Sequence, residues 1–234
     1  MLPKIIHKIV ETSDGPSSYG PSSYGPSVFT DDTRLQLERK GRILSTASSL
    51  LTGSSSNVRE LAQFVGQVVS CFQGVKFGPL WYRYMENDKI KALKQNKGDY
   101  ESKVVFLNEA KSEMIRWTEN IMSSFNDVHS DHSEPDFVLF TDVSLTDWVC
   151  SCKISRTGGH WDYTESQSNI NVLEVKAALL TLQSFAREKA SIHVRLMMDN
   201  TTAVACVSKM GTSHSVQCNA VTKEIWQFCI KRKI

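Results

Sequence analysis

Two short apolar runs, each stopping on an aspartate, limit what this chain can fold into more than any other feature. Phe137-Val138-Leu139-Phe140-Thr141-Asp142 is the first, and His193-Val194-Arg195-Leu196-Met197-Met198-Asp199 is the second. Runs this short and this apolar read as buried strands. Between them, Asn171-Val172-Leu173-Glu174-Val175-Lys176-Ala177-Ala178-Leu179-Leu180 reads as a helix with Glu174 one turn in. In α/β folds, ligands sit beyond the carboxyl ends of such strands. Asp142 and Asp199 at strand ends and Glu174 on a packed helix are therefore candidates to converge on a hard cation such as Mg²⁺, which takes oxygen ligands. Alone, each is an ordinary strand-end or surface acid. The case rests on three at matching segment ends.

The neighbouring segments extend the pattern. Ser123 to Asp136 is polar and carries Asp127, Asp131, Glu134, Pro135 and Asp136, which marks a domain boundary. Beyond it the expected order is strand 137–142, strand 148–155, strand about 160–164, helix 170–188, strand 192–198, and helices at about 200–209 and 214–230. Three hairpin-linked strands followed by alternating helix and strand imply an α/β fold with a mixed sheet and flanking helices. Gly158-Gly159 is expected in a hairpin, with His160 a strand residue beside it. Cys150 and Cys152 fall on one strand face as small apolar fillers. Lys231-Arg232-Lys233 suits the C-terminus of the last helix.

Upstream, three divisions suggest themselves: a flexible linker or tail over 1–28, a helical segment over 29–126, and the α/β domain over 136–234. The tail contains Gly15-Pro16-Ser17-Ser18-Tyr19 and its repeat Gly20-Pro21-Ser22-Ser23-Tyr24, too rich in Pro, Gly and Ser for helix or strand. Phe29-Thr30-Asp31-Asp32 invites comparison with a polymerase metal box, but that needs a large fold upstream, and 28 residues precede it. A helix start with Thr30 as N-cap is the plainer reading, with Gly41 interrupting the helix. Asn57-Val58-Arg59-Glu60 has capping-box spacing. Trp81-Tyr82-Arg83-Tyr84 opens another helix, whose Lys89, Lys91, Lys94 and Lys97 form either a nucleic-acid track or a solvated face. Leu107, Ala110, Met114, Trp117 and Ile121 make an amphipathic packing stripe.

At 234 residues and 41% hydrophobic content, the chain can bury a real core. A formal net charge of +2 permits nucleic-acid binding without arguing for it. The six cysteines include no CxxC pair, which argues against a zinc knuckle and fits a reducing compartment. The N-terminal residues lack a signal peptide's apolar region, and no apolar stretch is long enough to span a membrane. The expectation is an intracellular protein, cytoplasmic or nuclear and not secreted.

Thr141-Asp142-Val143-Ser144, Gly158-Gly159-His160-Trp161, Glu165, Ile170-Asn171-Val172-Leu173-Glu174 and Asp199-Asn200-Thr201-Thr202-Ala203-Val204 together resemble a ribonuclease H domain. More narrowly, they are similar to the ribonuclease H region of retroelement reverse transcriptases, most like DIRS-type tyrosine-recombinase retrotransposons. The likeness covers Asp136 to Ile234, and a weaker one runs back through Val58-Arg59-Glu60-Leu61-Ala62 and Trp117 into the connection segment. It implies a ribonuclease H-like fold and hydrolysis of the RNA strand of an RNA–DNA hybrid with Mg²⁺ or Mn²⁺. Asp142 is then the residue bridging two ions, with Glu174 and Asp199 as further ligands. Asn171 corresponds to an asparagine that touches the hybrid's minor groove, and Ser144 and Asn200 stand beside the metal ligands as substrate or supporting contacts.

Two departures from the family pattern stand out. Asp147 occupies a position usually held by a small residue. The fourth acidic ligand is missing, because no Asp follows Asp199 and the only later acid is Glu224. The resemblance therefore implies an incomplete C-terminus and a separate polymerase domain in a parent polyprotein. Alternatives are an inactive nucleic-acid-binding fragment and a non-functional transposon remnant with an open sheet edge.

Overall fold

The run that ends on Asp142 is the middle strand of a mixed sheet. The computed structural model describes residues 7–8, 28–53, 56–72, 75, 77–122, 134–212 and 214–234. In chain order the elements are β1 (His7–Lys8), α1 (Val28–Thr52), α2 (Val58–Ser70), α3 (Arg83–Gln95) and α4 (Asn108–Asn120). They continue as β2 (Phe137–Val143), β3 (Asp147–Cys152), β4 (Ser155–His160), α5 (Tyr163–Ser166), α6 (Ile170–Ala186), β5 (Val194–Met198), α7 (Thr201–Ser208) and α8 (Val216–Arg232). The chain divides into two compact units, Ser13–Val128 and His129–Ile234 with Met1–Thr12.

In the second unit the strand order is β1-β5-β2-β3-β4. β2 runs parallel to β5 and antiparallel to β3, and β3 runs antiparallel to β4. Along β2, Leu139 and Thr141 are buried while Phe140 and Asp142 are exposed, the period-two alternation of a strand with one covered face. α6 supplies the cover. It is apolar on most sides, so Val172, Val175, Ala178, Leu179 and Leu182 pack with Leu139, Cys152, Leu196 and Met198, and with Cys218, Ile225 and Cys229 of α8. Complete burial of a side chain such as Leu139 contributes about 2 kcal/mol. Cys150 and Cys152 are both buried, as the strand pattern anticipates.

The strand expected at 160–164 lies instead at Ser155–His160. The chain reverses at Lys153, which adopts a φ of 55°, and not at the glycine pair. Gly158 faces β3 so closely that a Cβ would stand 2.4 Å from the Trp148 carbonyl oxygen. The glycines permit close strand approach there. Residues after Trp161 form α5, opened by a capping box between Asp162 and Glu165. At the sheet edge, His7–Lys8 pairs antiparallel with Met197–Met198, so these two residues are strand where a flexible tail was expected. That pairing occupies backbone groups of β5 that an edge strand leaves open. The Gly/Pro/Ser/Tyr repeat lies outside the described residues.

The first unit buries Ile43, Ala47 and Leu50 of α1 with Val58, Leu61, Phe64 and Val68 of α2, Met85 of α3, and Met114 and Trp117 of α4. The Asn57–Glu60 capping box forms as its spacing suggests. α1 begins at Val28, so Thr30 lies inside it and is no N-cap, and Gly41 does not interrupt it. Leu107 departs from the packing stripe at 48% exposure. α3 starts at Arg83, and just before it the Trp81 carbonyl accepts from the Trp117 indole at 2.6 Å. Two buried acids join α3 to α4. Glu113 is fully buried, and its Oε2 accepts from the Tyr84 and Met85 N–H groups at 3.0 and 3.2 Å. Asp88 accepts from the Leu107 N–H at 2.9 Å. Each acid of one helix thus meets unpaired amides at the start of the other.

The glycine geometry makes a paired prediction. Gly158→Ala should destabilise the protein by about 2–3 kcal/mol, because backbone must move to admit the methyl group. Gly159→Ala, whose Cβ would meet the Trp148 side chain, nearest at the indole nitrogen at 3.2 Å, and no backbone as close, should cost markedly less. Urea unfolding of both variants checks the order, and equal costs would contradict it.

Candidate metal site at the sheet rim

Parallel neighbours end at the same edge of a sheet. The register pairs Phe140 with Met197, and continuing it along both strands sets Asp142 level with Asp199. α6 lies across the sheet and brings Glu174 to the same rim. Asp142 and Asp199 are exposed, whereas Glu174 is 5% exposed. The Glu174 Oε2 is buried and has no hydrogen-bond partner. Burial first, then the negative charge of Asp199 and of Asp142, pushes the Glu174 carboxyl up to about 7. The charges of both aspartates thus act on Glu174.

They do not close around a point. Strand alternation places Asp142 opposite Leu139 and Thr141, while Glu174 approaches from the helix side. Among the described residues, no group of three His, Cys, Asp or Glu is placed to hold a metal ion. The site is a rim of unneutralised carboxyl groups, not a cage. The residues nevertheless suit a hard divalent cation: all donors are oxygens, one is buried without a partner, and their mutual repulsion falls when a cation enters. Asp142 is partly oriented, since its Oδ1 accepts from the Val143 N–H at 2.8 Å. Asp199 makes no hydrogen bond among the described residues.

The expected substrate residues fall into two groups. Asn171 and Asn200 meet: the Asn200 Nδ2 donates to the Asn171 Oδ1 at 2.9 Å. The Asn200 Oδ1 also accepts from the Ala203 N–H at 3.0 Å and caps α7. Asn200 thus spends both ends of its amide on structure and holds Asn171 at the rim. Ser144 does not join them. Its Oγ accepts from the Thr146 and Asp147 N–H groups at 3.1 and 3.0 Å and donates to the Asp147 carboxylate. Asp147 therefore closes the β2–β3 turn and does not disturb it. Neither Asp147 nor the exposed Glu224 is among the charges that raise the Glu174 carboxyl.

Two further contacts were not anticipated from the residues. The Trp161 indole N–H donates to the Ser144 carbonyl at 3.0 Å, and nothing local in the sequence announces it. Glu165 pairs with Lys176 of α6, which holds the Glu165 carboxyl below its usual range. The Asp162–Glu165 spacing was a readable capping signal. His160 is an exposed strand residue paired in register with Asp147. In the helical unit, Lys89 pairs with Glu86 at 2.8 Å while Lys91, Lys94 and Lys97 are exposed.

No family model matches the chain, and no curated protein is significantly similar to it.

The Glu174 environment predicts a pH dependence. Its carboxyl moves from an ordinary 4.5 to about 7 on folding. Its contribution to stability is thus complete below 4.5 and lost as pH rises through about 7. At about 1.4 kcal/mol per unit the loss amounts to roughly 3 kcal/mol. Glu174→Gln should therefore raise the unfolding free energy of the metal-free protein at alkaline pH and change it little in acid. A variant less stable than wild type at alkaline pH would contradict the assignment.

Proposed function

We propose that the α/β unit is a ribonuclease H-like domain of retroelement reverse-transcriptase type, cleaving the RNA strand of an RNA–DNA hybrid with Mg²⁺ or Mn²⁺. The observation that carries the reading is the buried, unpartnered Glu174 carboxyl beside Asp142 and Asp199. A mixed sheet covered by α6 is compatible with such a fold, and the likeness of the Thr141–Ser144, Ile170–Glu174 and Asp199–Val204 stretches supplies the substrate class.

Asp142 and Asp199 present carboxylate oxygens at the exposed rim, and Glu174 meets the same region from below. A divalent metal pair bound there supplies an activated water and neutralises charge on the leaving oxygen. Asn171, held by Asn200, would meet a ribose 2′-hydroxyl, the group that separates RNA from DNA. Ser144 shapes the turn that follows Asp142. On this reading the partners are the hybrid and a polymerase domain of the same polyprotein, and the protein works in the cytoplasm or nucleus.

The open arrangement of the three acids favours a second reading, a module that binds hybrid without cleaving it. A labelled RNA–DNA hybrid incubated with Mg²⁺, then Mn²⁺, separates the two. Cleavage that falls on the order of 100-fold or more in Asp142→Asn supports the nuclease. Salt-dependent hybrid binding without cleavage supports the binding module. Neither binding nor cleavage rejects both.

A further inference from the structure

The geometry points to Trp161 as a positioning residue that sets the separation between the Asp142 strand end and the Glu174 helix, and through it the metal affinity of the rim. This inference rests on the nuclease reading above.

Trp161 follows directly on the last residue of β4, and both of its N–H groups reach back across the hairpin. The backbone N–H donates to the Thr146 carbonyl at 3.0 Å, and the indole N–H donates to the Ser144 carbonyl at 3.0 Å. Both acceptors belong to the turn that leaves the Asp142 strand. The turn is stiffened by its own bonds: the Ser144 N–H donates to the Asp147 carbonyl at 2.9 Å, and the Ser144 Oγ gathers two further N–H groups. A displacement of Ser144 is thus passed through Val143 to Asp142 and is not absorbed by a loose loop.

The other face of the same side chain meets the helix. Trp161 is 7% exposed and packs in one cluster with Leu173 and Ala177 of α6, joined by Val143, Trp148 and Leu180. Leu173 immediately precedes Glu174, and Ala177 lies on the next turn. One side chain therefore packs in a cluster with the residue that precedes the buried acid and hydrogen-bonds the turn just beyond the exposed one. A buried indole N–H needs an acceptor somewhere. The acceptor used here ties the hairpin to α6 at the rim, while the Glu165–Lys176 pair braces the following residues against the same helix.

The test compares two variants. Trp161→Phe keeps an aromatic ring but removes the indole N–H together with part of the ring's volume, and the packing share of that loss is what the second variant controls for. Leu180→Ala thins the same cluster and leaves the hydrogen bond in place. Mn²⁺ binding, measured by calorimetry on the full chain, should weaken about 10-fold in Trp161→Phe, within the range for residues that orient metal ligands. Leu180→Ala should lose stability but keep wild-type Mn²⁺ affinity. Hybrid cleavage by Trp161→Phe should recover as Mn²⁺ is raised. Wild-type Mn²⁺ affinity in Trp161→Phe, or an equal loss in Leu180→Ala, overturns the inference while the nuclease reading stands. A wild-type chain that neither binds Mn²⁺ nor cleaves hybrid removes both. Should Trp161→Phe fail to unfold cooperatively, the indole N–H resonance of Trp161 in the wild type decides. It should shift with Mg²⁺ along the same saturation curve as metal binding, and an indifferent resonance overturns the inference.

Discussion

The parallel pairing of β2 with β5 is the constraint on which the rest of the α/β unit depends. Parallel neighbours cannot be joined by a tight turn, so the chain must leave β2, cross, and return in the same direction. Here it returns through β3, β4 and α6, and the apolar α6 buries the helix-facing side chains of both strands. One consequence is thermodynamic: the core of the unit forms along this interface. The other is positional. Strands that start together and run together end together, so two runs that each stop on aspartate deliver Asp142 and Asp199 to one rim.

The same interface creates the energetic tension of the site. Glu174 occupies a helix position that faces inward, where an apolar residue would pack without penalty. Instead a carboxyl group is buried without a hydrogen-bond partner, near two further acids. An uncompensated buried charge is expensive in a low-dielectric interior, and the raised proton affinity is the group's response. Elsewhere in the chain buried acids are treated differently. Glu113 and Asp88 are also withdrawn from water, and burial raises the proton affinity of Asp88 too, yet each has an oxygen that accepts from backbone N–H at a helix start. Glu174 differs from both in that no backbone N–H is bonded to its Oε2 and that Asp199 and Asp142 both raise its proton affinity.

Much of this was legible in the residues because the signals were local. The lengths and endings of the two apolar runs, the α6 pattern, and the Asn57-x-x-Glu60 cap depend on near neighbours in sequence, and each has a counterpart in the structure. What was not legible depends on distant partners. Gly158-Gly159 reads as a turn until Trp148 of the neighbouring strand is seen to leave no room for a Cβ. The hydrogen bonds by which the Ser144 hydroxyl closes the turn with Asp147 were likewise not readable from the residues. Leu107 reads as part of the packing stripe, yet it is exposed once α3 and α4 are brought together, and the burial of Glu113 between them is announced by nothing local. The short β1 pairing joins residues from opposite ends of the chain, and a two-residue strand carries no period of its own.

For Asp142, Glu174 and Asp199 acting together as the proposed cation site, the most direct measurement is the proton balance of metal binding. Calorimetric titration of Mn²⁺ near pH 7, repeated in buffers of different ionisation enthalpy, counts protons released per ion bound. With Glu174 titrating at about 7, binding should expel about half a proton, and Glu174→Gln should abolish the release. Binding with no release from the wild type, or an unchanged release from the variant, would contradict the account.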